Sequence, residues 1–423
     1  MVLNQFNPSD SPTTVLTQQV QNSLLKRSNW VLLTLLLIVG TAVGTAFLTH
    51  WADELIEHRE RGTSPKIDSG PWGDLLVRNI RVEQPMEYVG FDVTTAEGPL
   101  WNFGNLTSPA LREILIQCGL TGDQADHLIA SQVAGSETVI KPDHEFILGL
   151  DPAVREKLYL ALSQNAANRA QANPYYIADG DVATLFDSNH PSDAKAISVM
   201  KKLLYTRNGF TYFSDPEVVL GYISSPQERE EFLQSLTSIN SVMMGLLIRP
   251  DSDIEKPLNY WALSLPGVTR KDLRPLFEAQ RREKDGGALS ILYLLPPMAR
   301  EHLFTSPLPP TGQEKMPDCH WTALNFFAET PDPNMADNEY ASRFIQDNYY
   351  EIAVPGVPGD LVLLLDNQNK VIHSAVYIAD DIVFTKNGIN FAQPWVMMHE
   401  KDMVGHFSGL NPVRVAYFRK RGH

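Results

Sequence analysis

Near the C-terminus, three apolar runs are separated by short polar turns, and few folds accommodate that pattern. Residues 357–365 (VPGDLVLLL) read as a turn feeding a buried strand, and residues 366–370 as a polar turn. Residues 371–378 (VIHSAVYI) form a second strand, with a turn at Asp380 and Asp381. Residues 382–388 (IVFTKNG) form a third, and residues 413–418 (VRVAYF) a last strand that closes the sheet. The expected result is a β-meander.

His373 lies inside a strand that is otherwise apolar, where an unpaired imidazole is costly. A strand repeats every two residues, so Val383, Thr385 and Asn387 share one face of the third strand. A polar side chain on that face is placed to orient the His373 ring.

Upstream, residues 316–327 read MPDCHWTALNFF. Asp318 is a strong N-cap type, which makes Cys319 the first residue of a helix with Ala323, Leu324 and Phe327 on its apolar face. Unpaired backbone N–H groups and the helix dipole stabilise a thiolate at that position. Cysteine, histidine and a polar residue in this order constitute a nucleophile, a base and an orienting group. Neighbouring helical residues point roughly 100° apart, so His320 is poorly placed to act as the base for Cys319.

This segment resembles the NlpC-type cell-wall cysteine peptidases of the papain-like superfamily. The matching residues are Asp318-Cys319 at a helix start, Pro358-Gly359-Asp360-Leu361-Val362 at a strand start, and His373 with Tyr377 and Ile378 in the next strand. The resemblance covers about a quarter of the chain, residues 311–419. It implies a helix-borne cysteine packed on an antiparallel sheet, in unpermuted order. It also implies amide hydrolysis through an acyl-enzyme, without a cofactor or metal, on cell-wall peptide or another amide substrate. Cys319 would be the nucleophile, His373 the base, and the third polar residue falls at Thr385, with Asn387 as the alternative. His320 and Trp321 stand where the family has a small pair, and Thr385 where it more usually has histidine. Two other readings stay open: an acyltransferase on the same scaffold, and an inactive binding or scaffold module of the cell envelope.

Towards the other end, residues 28–49 carry no charge, and the run 30–48 is almost continuously apolar. A membrane-crossing helix needs about 20 such residues. A cleaved signal peptide would have an apolar region of about 7–15 residues nearer the start. The sequence therefore predicts a single-pass anchor over residues 29–51, following a tail of residues 1–28. Lys26 and Arg27 precede the span, whereas Arg59, Arg61 and Lys66 follow it. The closer pair and the short tail favour an internal N-terminus and extracytoplasmic C-terminal domains.

A polar stalk over residues 52–73 leads to residues 74–305, expected to be a mostly helical accessory domain. One or two strands are expected within residues 75–95, from their alternation. Thr121 with Gln124 is a capping-box signal, and Asp151-Pro152 opens another helix. Residues 194–204, 226–236 and 273–282 read as further helices. No phosphate-binding glycine loop, His-Glu-x-x-His or zinc-spaced cysteine pair occurs there. A proline-rich linker at residues 307–312 then opens the C-terminal domain, residues 306–423. The fold expected for the whole chain is α+β.

Composition narrows function further. Hydrophobic residues make up 43% and charged ones 20%, which supports globular domains rather than extended disorder. The net charge of -15 and the lack of a basic stripe exclude a nucleic-acid partner. Two cysteines are too few for a disulfide framework. Cys118 closes an apolar helix-like stretch before Gly119 and reads as a buried thiol. His399 and His406 read as parts of a solvated loop or helix.

Overall fold

The computed structural model describes residues 66–85, 98–186, 191–308, 316–388, 390 and 392–422. Strands β1 (Lys66–Gly70) and β2 (Gly73–Val82) join β9 (Ile239–Ile248) and β10 (Gly287–Ser290) in a four-stranded sheet ordered β1-β2-β9-β10. Between β2 and β9 the chain is largely helical, with two small sheets. One is ordered β3 (Trp101–Asn102), β5 (Val139–Ile140), β4 (Gln132–Val133). The other is ordered β6 (Tyr175–Tyr176), β8 (Phe210–Phe213), β7 (Tyr205–Arg207).

The helices in this part begin where their capping residues dictate. Thr121 N–H donates to Gln124 Oε1 at 2.9 Å, and Gln124 N–H returns a bond to Thr121 Oγ1 at 3.2 Å. This reciprocal box satisfies two otherwise orphaned donors of helix Gly122–Ala130. Asp151 accepts from Ala153 N–H at 2.8 Å and starts helix Pro152–Leu162.

The C-terminal sheet has six strands: β11 (Tyr349–Ile352), β12 (Leu361–Leu365), β13 (Val371–Ala379), β14 (Ile382–Lys386), β15 (Trp395–His399) and β16 (Arg414–Lys420). Their order is β11-β16-β12-β13-β14-β15, and every neighbouring pair is antiparallel. All five residues of β12 are buried, as a central strand covered on both faces must be. The turn before it depends on Gly359, whose φ is +97° and where a Cβ would lie 2.2 Å from the Phe327 ring. Only glycine fits both demands. The adjacent Asp360 carboxylate is fully buried. It accepts two bonds of 2.7 Å from Arg419 on β16, and others from the Gly356 and Val357 N–H groups. This network ties the turn to the sheet.

Each face of the six-stranded sheet meets a different core. Leu361, Leu363, Val376, Ile378 and Phe384 pack with helix Cys319–Leu324 and also with Leu75, Leu246, Tyr260 and Trp261 from the earlier part of the chain. Val362, Leu364, Tyr377 and Val383 form a second cluster with Met403, against helix Glu400–Phe407. The helical part around Trp101, Tyr159 and Phe213 has its own core.

Two expectations are corrected. The α+β mixture is present, but among the described residues no helix is long and apolar enough to cross a membrane. The anchor expected over residues 29–51 lies outside the described residues, so neither a transmembrane helix in the fold class nor a single-pass membrane location is carried forward. The mostly helical reading of residues 74–305 also misses β9 and β10. Strand β9 is a ten-residue run (INSVMMGLLI) that organises the four-stranded sheet. Its methionines and glycine dilute the β-branched signal by which strands are read.

Candidate active site

Cys319 is the first residue of helix Cys319–Leu324, and Asp318 caps that helix by accepting from Trp321 N–H at 2.8 Å. The thiol is only 6% exposed. Hydrogen bonding from the Ser374, His320 and Cys319 backbone favours its anion. Burial outweighs them, helped by the Asp318 carboxylate, and pushes the thiol up to about 12.

The helix start meets β13 and β14 where their pairing stops. The ladder between these strands ends at the Val376–Phe384 pair. Beyond it lie His373 and Ser374 on one strand and Thr385 and Lys386 on the other. Ser374 Oγ and His320 Nδ1 are 2.7 Å apart, which fixes the His320 ring on the side of the cysteine helix. Trp321 stacks edge-on against His302, whose ring also meets Trp395 at 4.6 Å. The two bulky residues after the cysteine therefore flank it.

His373 and Thr385 come together as the strand period predicts, with Nε2 and Oγ1 2.8 Å apart. The imidazole is fully buried and its ring stacks on Phe407, with centroids 4.1 Å apart. Its Nδ1 is buried and has no hydrogen-bond partner. Burial holds the ring well below the usual histidine range, and His320 and His406 add to that. It is therefore neutral at physiological pH.

Cys319 and His373 are not hydrogen-bonded. His373 is paired with Leu364, and its contact with Phe407 places the ring towards helix Glu400–Phe407. Sγ arrives from the other side and reaches the N–H of the next residue, Ser374. Nucleophile and base thus meet one strand at adjacent residues without forming the expected pair. Asn387 does not serve His373 either. It follows the end of β14, its Nδ2 lies 3.8 Å from Met398 Sδ, and its Oδ1 has no partner.

Sequence reasoning missed Lys386, which is fully buried at the end of β14. Its Nζ donates to the Gly388 and Asn390 carbonyls at 2.6 and 2.8 Å. Burial lowers the ammonium to about 8, while Cys319 and Asp318 pull the other way. Ile382, Phe384 and Lys386 share a face by period two, so one cation among core residues was the available signal. His406 was read as solvated. It is half-buried instead, stacked on Tyr176, with Nε2 unpartnered.

At neutral pH the cluster holds a thiol, a neutral imidazole with one free nitrogen, and a buried ammonium. Compared with known proteins, the chain matches no family model, no curated protein and no solved structure.

Proposed function

We propose that the C-terminal part of this protein is a cysteine hydrolase that cleaves an amide bond through an acyl-enzyme, with Cys319 as nucleophile and His373 as base. The observation that carries this reading is the division of labour on the His373 ring. Thr385 holds Nε2, which leaves Nδ1 buried and free beside the residue whose backbone hydrogen-bonds Cys319. Catalytic hydrogen bonds are often long or unformed until substrate binds.

The step requires the ring to leave Phe407 for the cysteine side; as Sγ then bonds to the carbonyl carbon, its proton passes to Nδ1. The amide C–N bond then breaks, and the imidazolium gives that proton to the leaving amine. Water, deprotonated by Nδ1, cleaves the thioester and releases the acid and the free thiol. The Cys319 backbone N–H, at the helix start, donates to the oxyanion. The sequence resemblance supports cell-wall peptide as the amide.

The burial of Cys319 and its raised thiol favour a second reading, a binding module that has kept the scaffold and lost the chemistry. Hydrolysis of peptide and cell-wall amides by the purified chain separates the two. Turnover that disappears in Cys319→Ala and in His373→Ala is the expected result. Turnover retained in either variant sinks the mechanism, and a wild-type chain inert on every amide leaves the binding module.

A further inference from the structure

We infer that Arg207, Asn208 and Tyr212 are positioning residues for His373. From the hairpin of β7 and β8 they cap the last turn of helix Glu400–Phe407, keep the Phe407 ring on His373, and so hold the imidazole on the face away from Cys319. The inference rests on the hydrolase reading for its purpose, but not for its geometry.

A helix leaves its last carbonyls without partners of its own. Here the hairpin supplies them. The Tyr212 hydroxyl donates to the Gly405 carbonyl at 2.7 Å, Asn208 Nδ2 to the Ser408 carbonyl at 2.8 Å, and Arg207 Nη1 to the Gly409 carbonyl at 2.8 Å. Asn208 and Gly209 turn the hairpin with φ of +52° and +82°, the left-handed pair of a two-residue connection. Arg207 is itself fixed by Glu156 of helix Pro152–Leu162 at 2.9 Å. Tyr176 grips the same helix at its start, where its hydroxyl donates to Asp402 Oδ1 at 2.8 Å. The Tyr176 ring lies so near that a Cβ on Gly405 would stand 2.5 Å from it.

Phe407 is the last residue of this gripped helix, and its ring stacks on His373 with centroids 4.1 Å apart. Thr385 holds one nitrogen of the imidazole, and the other is buried without a partner, which is costly. The capped turn therefore imposes an orientation that the ring's own hydrogen bonding does not favour. Turnover is limited by the fraction of molecules in which the ring has left Phe407.

The test joins Tyr212→Phe with Asn208→Gly in the full chain, removing two of the three capping bonds. Glycine suits the positive φ of that turn. NMR of the histidine-labelled protein reads the His373 ring protons, assigned by their loss in His373→Gln; stacking on Phe407 displaces them upfield. In the double variant they should move towards their position in Phe407→Leu. The kcat on an amide substrate should rise about fivefold, the population gain for roughly one lost hydrogen bond. A folded double variant with unmoved His373 resonances overturns the inference. Resonances that move while kcat stays level or falls overturn it too, because Phe407 is then not what holds the base back. Should the double variant not fold, Asn208→Gly alone keeps the Tyr212 bond and decides on the same two readings. Moved resonances in a chain that hydrolyses no amide would retire the hydrolase reading and leave the hairpin's hold on His373 standing.

Discussion

Cys118 and Cys319 are equally hidden, at 7% and 6% exposure, yet they sit at opposite ends of their helices. Cys118 is the C-cap of helix Ser108–Gln117, and its N–H is spent on the Ile114 carbonyl at 2.9 Å. Carbonyl oxygens crowd that end and repel a thiolate. Burial raises its thiol, Glu156 adds to the rise and Lys157 opposes it. Cys319 is raised by burial too, and by the Asp318 carboxylate, while the Ser374, His320 and Cys319 backbone N–H groups oppose the rise. Burial makes both thiols inert at rest. They differ in what opposes the rise: backbone N–H groups at Cys319, and the Lys157 charge at Cys118.

Replacing the two cysteines should break the symmetry most plainly. Cys319→Ala is expected to cut kcat/KM on an amide substrate by on the order of a thousandfold or more, while Cys118→Ala stays within about twofold. Activity that follows Cys118 instead would reverse the comparison. Thr385→Val comes next, because it leaves His373 Nε2 buried without its partner. A fall in kcat of about 10–100-fold should accompany a stability loss of about 1–3 kcal/mol, measured by urea unfolding. Full activity in that variant would show that the ring needs no anchor.

Asp318→Asn sharpens the comparison on a finer scale. Asparagine still accepts the capping bond, whereas the charge that helps push the Cys319 thiol up is gone. Cys319 should alkylate a few-fold faster at fixed pH, with Cys118 as the unchanged internal control. An equal acceleration of both would point to general loosening.

The smallest expected effect is on the acid limb of stability. His406 is held down to about 4 by burial, with Arg81 adding to the shift. The unfolded chain therefore binds that proton first. Its contribution to stability is complete above the ordinary histidine range, near 6.5, and disappears as pH falls towards about 4. His406→Phe should flatten stability across that window in thermal melts, without moving the alkylation profile of either cysteine. An unchanged acid limb would contradict the burial argument.

The sequence made some of these features legible and hid others, for identifiable reasons. Strands β12, β13, β14 and β16 were visible because polar turns bracket short apolar runs, and Thr385 was visible because period two operates inside β14. Asn387, the alternative on the same face, lies against Met398 rather than against the His373 ring. The edge strand β15 (WVMMH) has no turn signal after it and runs straight into helix Glu400–Phe407. The direction of the His373 ring depends on Phe407, a residue of that later helix, and no local pattern encodes such a contact. The burial of Lys386 depends on Trp395 and on the Gly388 and Asn390 carbonyls, which no local pattern brings around it.

The C-terminal sheet and the residues before it share more than a linker. Ser241 Oγ on β9 donates to the Met397 carbonyl at 2.7 Å, and the Tyr260 hydroxyl donates to the Ile378 carbonyl at the same distance. Tyr260 and Trp261 belong to the same apolar cluster as Leu361 and Val376. In genetic terms, the quarter that carries Cys319 is not a cassette. Expressed from residue 306 alone, it would uncover a sticky apolar wall and be prone to aggregate. Recombination could not lift it cleanly into another gene, so the cysteine segment and its upstream partner must be inherited, and mutated, together.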